Sequence, residues 1–278
     1  MGEKRKIRLV AFDLDGTTVQ SGSVLSARNR AAIIAAAEKG VLMVPATGRV
    51  KGFLPAALTE LPEIRYAMTS NGAAVWDLHT GDLVCGDLIS VEAALNAQKV
   101  FEKYNLYIEY YVNGRAVALT GSPEKTRANA EFPKEKHHFL TKDYIFVDDL
   151  STFLKDGCVQ AEKLNLMYIP ASVQKAFLED ISKVEGLTLT FSNVDNMEIN
   201  SATCNKGSGL QAMCNALGID ISETMALGDN GNDLEMLKAA GFSVAVANAI
   251  DEVKTVCDAV VADFREDGFA EAIERFVL

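Results

Sequence analysis

Cysteine is scarce and scattered. The five residues, Cys85, Cys158, Cys204, Cys214 and Cys257, include no C-x-x-C pair. Zinc and dithiol redox sites need clustered ligands, so neither is expected, and an odd, unpatterned set reads as reduced thiols of a cytoplasmic protein. Histidine is rarer, at three. His79 falls in a polar turn, and His137 and His138, if neighbours on a strand, would point to opposite faces, so all three read as surface residues. Basic charge is also short: 27 Lys and Arg against 38 Asp and Glu leave −11. A nucleic-acid binder shows a basic stripe, and an anionic membrane surface asks for the same, so neither partner is expected. Long apolar runs are missing. Ile7–Phe12 stops at Asp13, too short for a signal-peptide core, and no window approaches a membrane span. The N-terminus Lys4-Arg5-Lys6 is basic, and Lys6 stands where a myristoylation signal beginning at Gly2 would need Ser or Thr. No repeat or low-complexity segment is present.

What is there is an ordinary globular composition, 49% hydrophobic and 23% charged, over 278 residues. That length holds a large core plus a second, smaller domain. The first segment alternates strand and helix: a buried strand over Ile7–Phe12, a helix opened by Ser26 and closed by Gly40, and a strand over Val41–Pro45. A short helix around Gly52–Leu58 follows, then strands Tyr66–Thr69 and Ala73–Trp76 about the turn Ser70-Asn71-Gly72. The last segment repeats the rhythm. Leu210, Met213, Cys214 and Leu217 mark one helix face ended by Gly218. Strands follow over Thr224–Leu227, Phe242–Val246 and Ala259–Val261 with helices between them, and a last helix carries Phe269, Ala272, Ile273 and Phe276. Alternation of this kind implies an α/β fold, a Rossmann-like parallel sheet with helices on both faces.

The middle differs. Strands Leu83–Ile89, Leu106–Val112 and Arg115–Thr120, a hairpin at Asn113-Gly114 and helices at Ser90–Tyr104, Leu150–Lys155 and Ser172–Val184 predict an α+β domain. Strands near Leu164–Ile169 and Leu187–Phe191 complete it, and residues 121–143 give no clear pattern. The expected division is a core of residues 1–82 and 193–278 with an insert of residues 83–192.

Four stations carry chemistry. Phe12-Asp13-Leu14-Asp15-Gly16-Thr17 sets two carboxylates where an apolar strand runs out, and in open parallel sheets ligands bind beyond the carboxyl ends of strands. Burying the first carboxylate costs several kcal/mol unless a cation neutralises it. Ala46-Thr47-Gly48-Arg49 follows the next strand. Thr47 can donate its hydroxyl to an anion, and Gly48 lets the backbone approach it. An N-cap with a turn glycine is the alternative. Asn205-Lys206-Gly207 opens a helix, where a lysine opposes the dipole and a bound anion accounts for it; a solvated surface lysine is the alternative. Gly228-Asp229-Asn230-Gly231-Asn232-Asp233 ends another strand, although Asp233 could be a first-turn helix acid. Together these stations line one rim, and hard oxygen ligands in this number suit Mg²⁺ rather than zinc.

In this order and at these points of a sheet, the stations resemble the haloacid dehalogenase superfamily of phosphohydrolases. Asp13 and Asp15 match its first motif, Thr47 the second, Lys206 the third, and Asp229 with Asp233 the fourth. The position of the insert, after Ser70-Asn71-Gly72-Ala73, is similar to the Cof-type branch with its large α+β cap. The likeness extends through Met197-Glu198-Ile199 and Glu266-Asp267-Gly268. Two departures stand out: Thr18-Val19 replace a leucine-like pair, and Phe264-Arg265 occupy a stretch that often holds an Asn. The resemblance implies a Mg²⁺-dependent phosphatase acting on small phosphorylated metabolites, sugar phosphates first. Asp13 would be the nucleophile that forms an aspartyl-phosphate, and Asp15 the general acid and base. Asp13, the Asp15 carbonyl and Asp229 would hold the metal. Thr47, Gly48 and Lys206 would hold the phosphoryl group. Asn232 would bond a phosphoryl oxygen or a metal water, Asp233 would orient Lys206 or a metal water, and Arg49 and Asn71 would face the cap and the substrate.

Two alternatives remain open. A sugar phosphomutase would use the same acids with a basic cluster on the cap, for which Lys125, Arg127, Lys134 and Lys136 are candidates. A catalytically silent phosphate sensor would keep the fold without turnover.

Overall fold

The computed structural model describes residues 6–20, 23–140, 143–193 and 196–278, so the readings at Gly2, Lys4 and Arg5 lie outside it. Leu9–Phe12 is buried throughout and pairs in parallel with Thr224–Gly228 on one side and Leu42–Pro45 on the other. Phe242–Val246 and Ala259–Val261 extend the sheet, again in parallel. Such a sheet has to be covered on both faces. Ala27–Glu38 packs with the last helix, Gly268–Phe276, and Lys206–Leu217 packs with Leu234–Ala239. Ser26 accepts the Asn29 N–H at the start of the first helix, and Gly40 turns left-handed (φ +80°) just past its end.

Register fixes the rim. Phe12 lies opposite both Pro45 and Leu227. The chain therefore leaves the sheet at one level at Asp13, Ala46-Thr47 and Gly228-Asp229. The Ala46 N–H bonds the Phe12 carbonyl at 2.8 Å, and the Asp13 N–H bonds the Leu227 carbonyl at 3.0 Å.

Two compact units result, residues 1–86 with 205–278, and residues 87–204. Both edges of the expected insert move. Leu83–Gly86 pairs antiparallel with Ala74–Asp77, which keeps it in the first unit. Asn196–Ser201, expected with the core, pairs with Leu187–Asn193 and Lys163–Leu166, which places it in the second. Residues 121–143 include a helix, Ser122–Ala128, and a 3-10 turn, Lys134–Phe139, so His137 is not on a strand; it is half-buried and stacked on Phe132. Arg127 and Lys136 donate to the carbonyls of Leu140 and Met167.

The inserted unit has one six-stranded mixed sheet. Its apolar face, with Tyr110, Leu164, Met197 and Ile199, packs on Val91–Tyr104, Leu150–Asp156 and Ala171–Ile181. The opposite face is polar. In register across it lie Glu198, Asn165 and Glu109, and beside them Asn200, Lys163 and Tyr111. Lys163 pairs with Glu198 at 2.6 Å, and Glu109 accepts from the Tyr144 hydroxyl at 2.6 Å and from Asn165 at 3.0 Å.

Burial raises the Glu109 pKa above its usual 4.5, against the donors from Tyr144 and Asn165. The folded state thus holds a proton that the unfolded carboxyl gives up at lower pH. The stabilising contribution is full below that unfolded value and fades as pH rises through the folded one. Relative to wild type, Glu109→Gln should therefore gain stability from acid to neutral pH, as measured by urea unfolding of both proteins across that range.

Candidate active site

Asp13 leaves the central strand almost buried, with 7% of its surface exposed. Its Oδ1 accepts a hydrogen bond from Lys206 Nζ at 2.6 Å, and the same ammonium donates to Asp233 Oδ1 at 2.6 Å. Lys206 is completely buried. It stands in the first turn of its helix, where Asn205 and Ser208 form a reciprocal capping box. The dipole disfavours a cation there, and the two carboxylates supply the compensation that water would otherwise give.

Asp233 does two jobs. Its Oδ2 accepts the N–H groups of Asp229 and Asn230, at 3.0 and 3.1 Å, which caps the turn after the strand. Its Oδ1 holds Lys206. Gly228 is required beside it, because a Cβ there would stand 2.6 Å from the Asp233 side chain. Asp229 accepts the Thr17 hydroxyl at 2.7 Å. Gly16, at φ +92°, lets this happen: a Cβ would sit 2.7 Å from Asp229 Oδ2.

Carboxylate oxygens of Asp13, Asp229 and Asp233 all lie within 4.8 Å of one another. Three carboxylates against one ammonium leave two negative charges uncompensated. Their chemistry agrees with that count. Burial, and then repulsion from Asp233 and Asp229, pushes Asp13 well above the carboxylate range despite Lys206. Burial pushes Asp229 up to about 6, against the Thr17 hydrogen bond. Burial works against the charge of Lys206, but Asp13 and Asp233 more than offset it, so it binds its proton more tightly than an ordinary lysine. A divalent cation with hard-ligand preference fits this donor set. Both oxygens of Asp233 are already engaged, so of the three Asp13 and Asp229 could more readily take a metal, with Asp233 as the brace.

Thr47, buried, sits where the neighbouring strand ends. Its hydroxyl oxygen accepts the Arg49 N–H at 3.2 Å, which leaves its own hydrogen to donate. Its backbone ties down the next loop, since the Asn71 N–H bonds the Thr47 carbonyl at 3.0 Å and the Ser70 N–H bonds the Arg49 carbonyl at 2.9 Å. Ser70, Asn71 and Gly72 all have positive φ, at 54°, 62° and 96°. Consecutive left-handed residues are strained, and such strain gathers at functional sites. The turn packs on the helix bearing Lys206, so closely that a Cβ on Gly72 would stand 2.3 Å from the Asn205 carbonyl oxygen. Asn232 reaches Asn71 Oδ1 at 3.4 Å.

Asp15 is different in kind. Its carboxylate is 59% exposed and is gripped by Arg49 through Nε at 2.8 Å and Nη2 at 2.5 Å. Arg49 also donates to Ser23 Oγ at 2.9 Å. The sequence places Arg49 facing the substrate; the structure gives it a partner on the loop that follows Asp13. All ten residues singled out in the sequence lie in the first unit. Thr17 and Thr18 are named in the sequence without a role in the site, and Asn29 and Asn248 are not singled out. For the two threonines the signal was their place directly after Asp-x-Asp-Gly; for the two asparagines there was none.

A family model for haloacid dehalogenase-like hydrolases matches residues 10–273. The chain belongs to that family. It is a phosphoric monoester hydrolase of the haloacid dehalogenase superfamily, Cof type. It is 29% identical over 274 residues to the 5-amino-6-(5-phospho-D-ribitylamino)uracil phosphatase YcsE of Bacillus subtilis, covering 98% of this chain and 96% of that one. It is 28% identical to a phosphoglycolate phosphatase of Methanothermobacter thermautotrophicus, covering 98% and 99%. Among solved structures, the subclass IIB sugar phosphatase BT4131 superposes with a TM-score of 0.78 over 97% of this chain and 98% of that one, at 23% identity, which is a likeness of fold. No helix among the described residues is long and apolar enough to cross a membrane.

Proposed function

We propose that this phosphatase hydrolyses small phosphorylated metabolites, sugar phosphates foremost, with Mg²⁺, and that the phosphoryl group passes through Asp13. The observation that carries this reading is Lys206, buried between Asp13 and Asp233 at 2.6 Å from each, with Asp229 alongside. An ammonium and three carboxylates packed this closely make little sense as scaffolding, because their desolvation outweighs what they return in stability. They make sense around a dianionic ester and a divalent cation.

Asp13 attacks phosphorus, and the ester oxygen leaves with a proton from Asp15. Asp15 then takes a proton from the water that hydrolyses the aspartyl-phosphate. Both Asp15 oxygens are engaged by Arg49, so that ion pair has to open before Asp15 can reach a leaving group. Lys206, the Thr47 hydroxyl and the backbone at Gly48 hold the phosphoryl oxygens as charge shifts. Asn232 adds a further donor on the Asn71 side, and Asp233 keeps Lys206 aimed. Asp13, the Asp15 carbonyl and Asp229 would hold Mg²⁺, which when bound neutralises the two excess charges and polarises the phosphoryl group.

We assign the choice of ester to the inserted unit. The ribitylamino-uracil phosphatase among the relatives carries a sugar-alcohol phosphate in its name, which supports a sugar or sugar-alcohol phosphate. The names of the relatives, a ribitylamino-uracil phosphatase and a phosphoglycolate phosphatase, agree with a small phosphate monoester. Among the described residues all five cysteines are free thiols, which supports a cytoplasmic setting.

A phosphate-release panel of sugar, nucleotide and cofactor monophosphates tests this. The expected result is strongest turnover on sugar phosphates, lost on chelation and restored by Mg²⁺. Release that ignores chelation, or no release from any ester, would overturn it.

A further inference from the structure

The loop after Asp13 must fix Asp15, Thr17 and Thr18 at once, and within itself it closes through the N–H groups of Thr17, Thr18 and Val19 on the Leu14 carbonyl. Two of its other carbonyls are taken by asparagine side chains from outside it. Asn248, just past the strand Phe242–Val246, donates Nδ2–H to the Gly16 carbonyl at 2.7 Å, and its Oδ1 accepts the Phe264 N–H at 3.0 Å. Asn29, in the first helix and 1% exposed, donates Nδ2–H to the Thr18 carbonyl at 2.9 Å, and its Oδ1 accepts the Ala270 N–H at 3.1 Å. Each amide is used at both ends, and the two ends need opposite polarity. A carbonyl on one side and an N–H on the other set the orientation of each amide without ambiguity. Aspartate has the shape but no donor, and leucine has neither group.

The far ends of both bridges belong to one stretch. Phe264 opens the 3-10 turn Phe264–Glu266, and Ala270 is in the first turn of the helix Gly268–Phe276. That stretch is itself stiff. Asp267 is left-handed at φ +58°, and a Cβ on Gly268 would stand 1.9 Å from the Ala262 carbonyl oxygen. We propose that Asn29 and Asn248 are positioning residues that clamp the nucleophile loop to this C-terminal segment. Through the loop they set the Thr17 hydroxyl on Asp229, at 2.7 Å, and the Thr18 hydroxyl on the Asp13 carbonyl, at 2.8 Å. The inference rests on the reading of Asp13 as the reacting group. It also accounts for Phe264-Arg265: a stretch without an asparagine side chain reaches the loop through the Phe264 main-chain N–H, with Asn248 as relay.

Asn29 is fully buried, so its variants strand a buried carbonyl and a buried N–H and also lose stability. Asn248 is half-buried and is the cleaner probe. Asn248→Asp keeps the shape and the acceptor for Phe264 but turns an oxygen toward the Gly16 carbonyl. Its kcat should fall about tenfold to a hundredfold, the effect of one misdirected hydrogen bond at a catalytic loop, with KM for the same ester within about twofold of wild type. Asn248→Gln, which keeps both groups on a longer arm, should recover part of the loss. Melting temperatures are measured alongside. A wild-type kcat in Asn248→Asp, or a kcat loss that disappears when the assay is run well below the variant's melting range, overturns the clamp. Asp13→Asn serves as the control. If it is inactive while Asn248→Asp is normal, the clamp alone fails; if Asp13→Asn remains active, the underlying reading fails.

Discussion

Asp13→Asn lowers kcat by about four orders of magnitude or more and leaves the fold intact. On the proposed role of Asp13 the size follows from the loss of a covalent nucleophile, for which an amide of the same shape offers no substitute. The sign of the stability change is less obvious. Asp13 is pushed well above the carboxylate range by burial and by Asp233 and Asp229, so in the metal-free fold its charged form is less favoured than in the unfolded chain. A raised carboxyl pKa means stability present at low pH and lost as pH rises through the folded value. Removing the charge should therefore leave the metal-free protein as stable as wild type or more so, a stability–function trade-off at one residue. Phosphate release and a thermal melt on the metal-free protein measure both halves. A dead variant that also melts early would mean that Asp13 is chiefly structural.

Lys206→Met should damage the protein in a second way. Methionine fills the space but leaves Asp13 and Asp233 facing each other without the ammonium that bonds each at 2.6 Å. Breaking a buried ion pair from one side costs about 3–5 kcal/mol, because the surviving charge stays buried and unpaired. Activity should fall by about a thousandfold or more, since the phosphoryl oxygens lose a cation aimed at developing charge. Urea unfolding with and without Mg²⁺ separates the two effects. The deficit should narrow when Mg²⁺ is added, because a divalent cation compensates the same carboxylates. An unchanged unfolding midpoint without metal would show that Asp13 and Asp233 do not need Lys206.

The contrast between these residues and the asparagines shows what could be read beforehand. Asp13, Thr47 and Asp229 were legible because each ends an apolar run, and an apolar run of four or five residues in an α/β pattern is a buried parallel strand. Lys206 was legible because it opposes a helix dipole. The bridge from Thr17 to Asp229 spans 212 positions and that from Asn248 to Gly16 spans 232, and single neutral polar residues carry no period to betray such pairings. The fork of Arg49 on Asp15 was hidden because pairing between two strand-end loops leaves no pattern in the sequence.

Fold elements failed to show where the pattern was short or half-polar. Asn196–Ser201 alternates Met197 and Ile199 with Glu198 and Asn200, which is a strand signature, but the nearby lysine motif drew the segment into the core. Ile145–Val147, a strand of three residues, offers too little sequence to show a period. Of residues 121–143, the helix Ser122–Ala128 is opened by a proline near its N-terminus and has little apolar face.

The central claim is that the phosphoryl group rests on Asp13. Rapid acid quench during turnover of a good substrate, followed by protease digestion and mass analysis, tests it directly. The account predicts that the peptide bearing Asp13 gains the mass of one phosphoryl group, that Asp15→Asn accumulates this species because its hydrolysis lacks a base, and that Asp13→Asn never shows it. A phosphoryl group on any other residue, or turnover in Asp13→Asn without one, would contradict it.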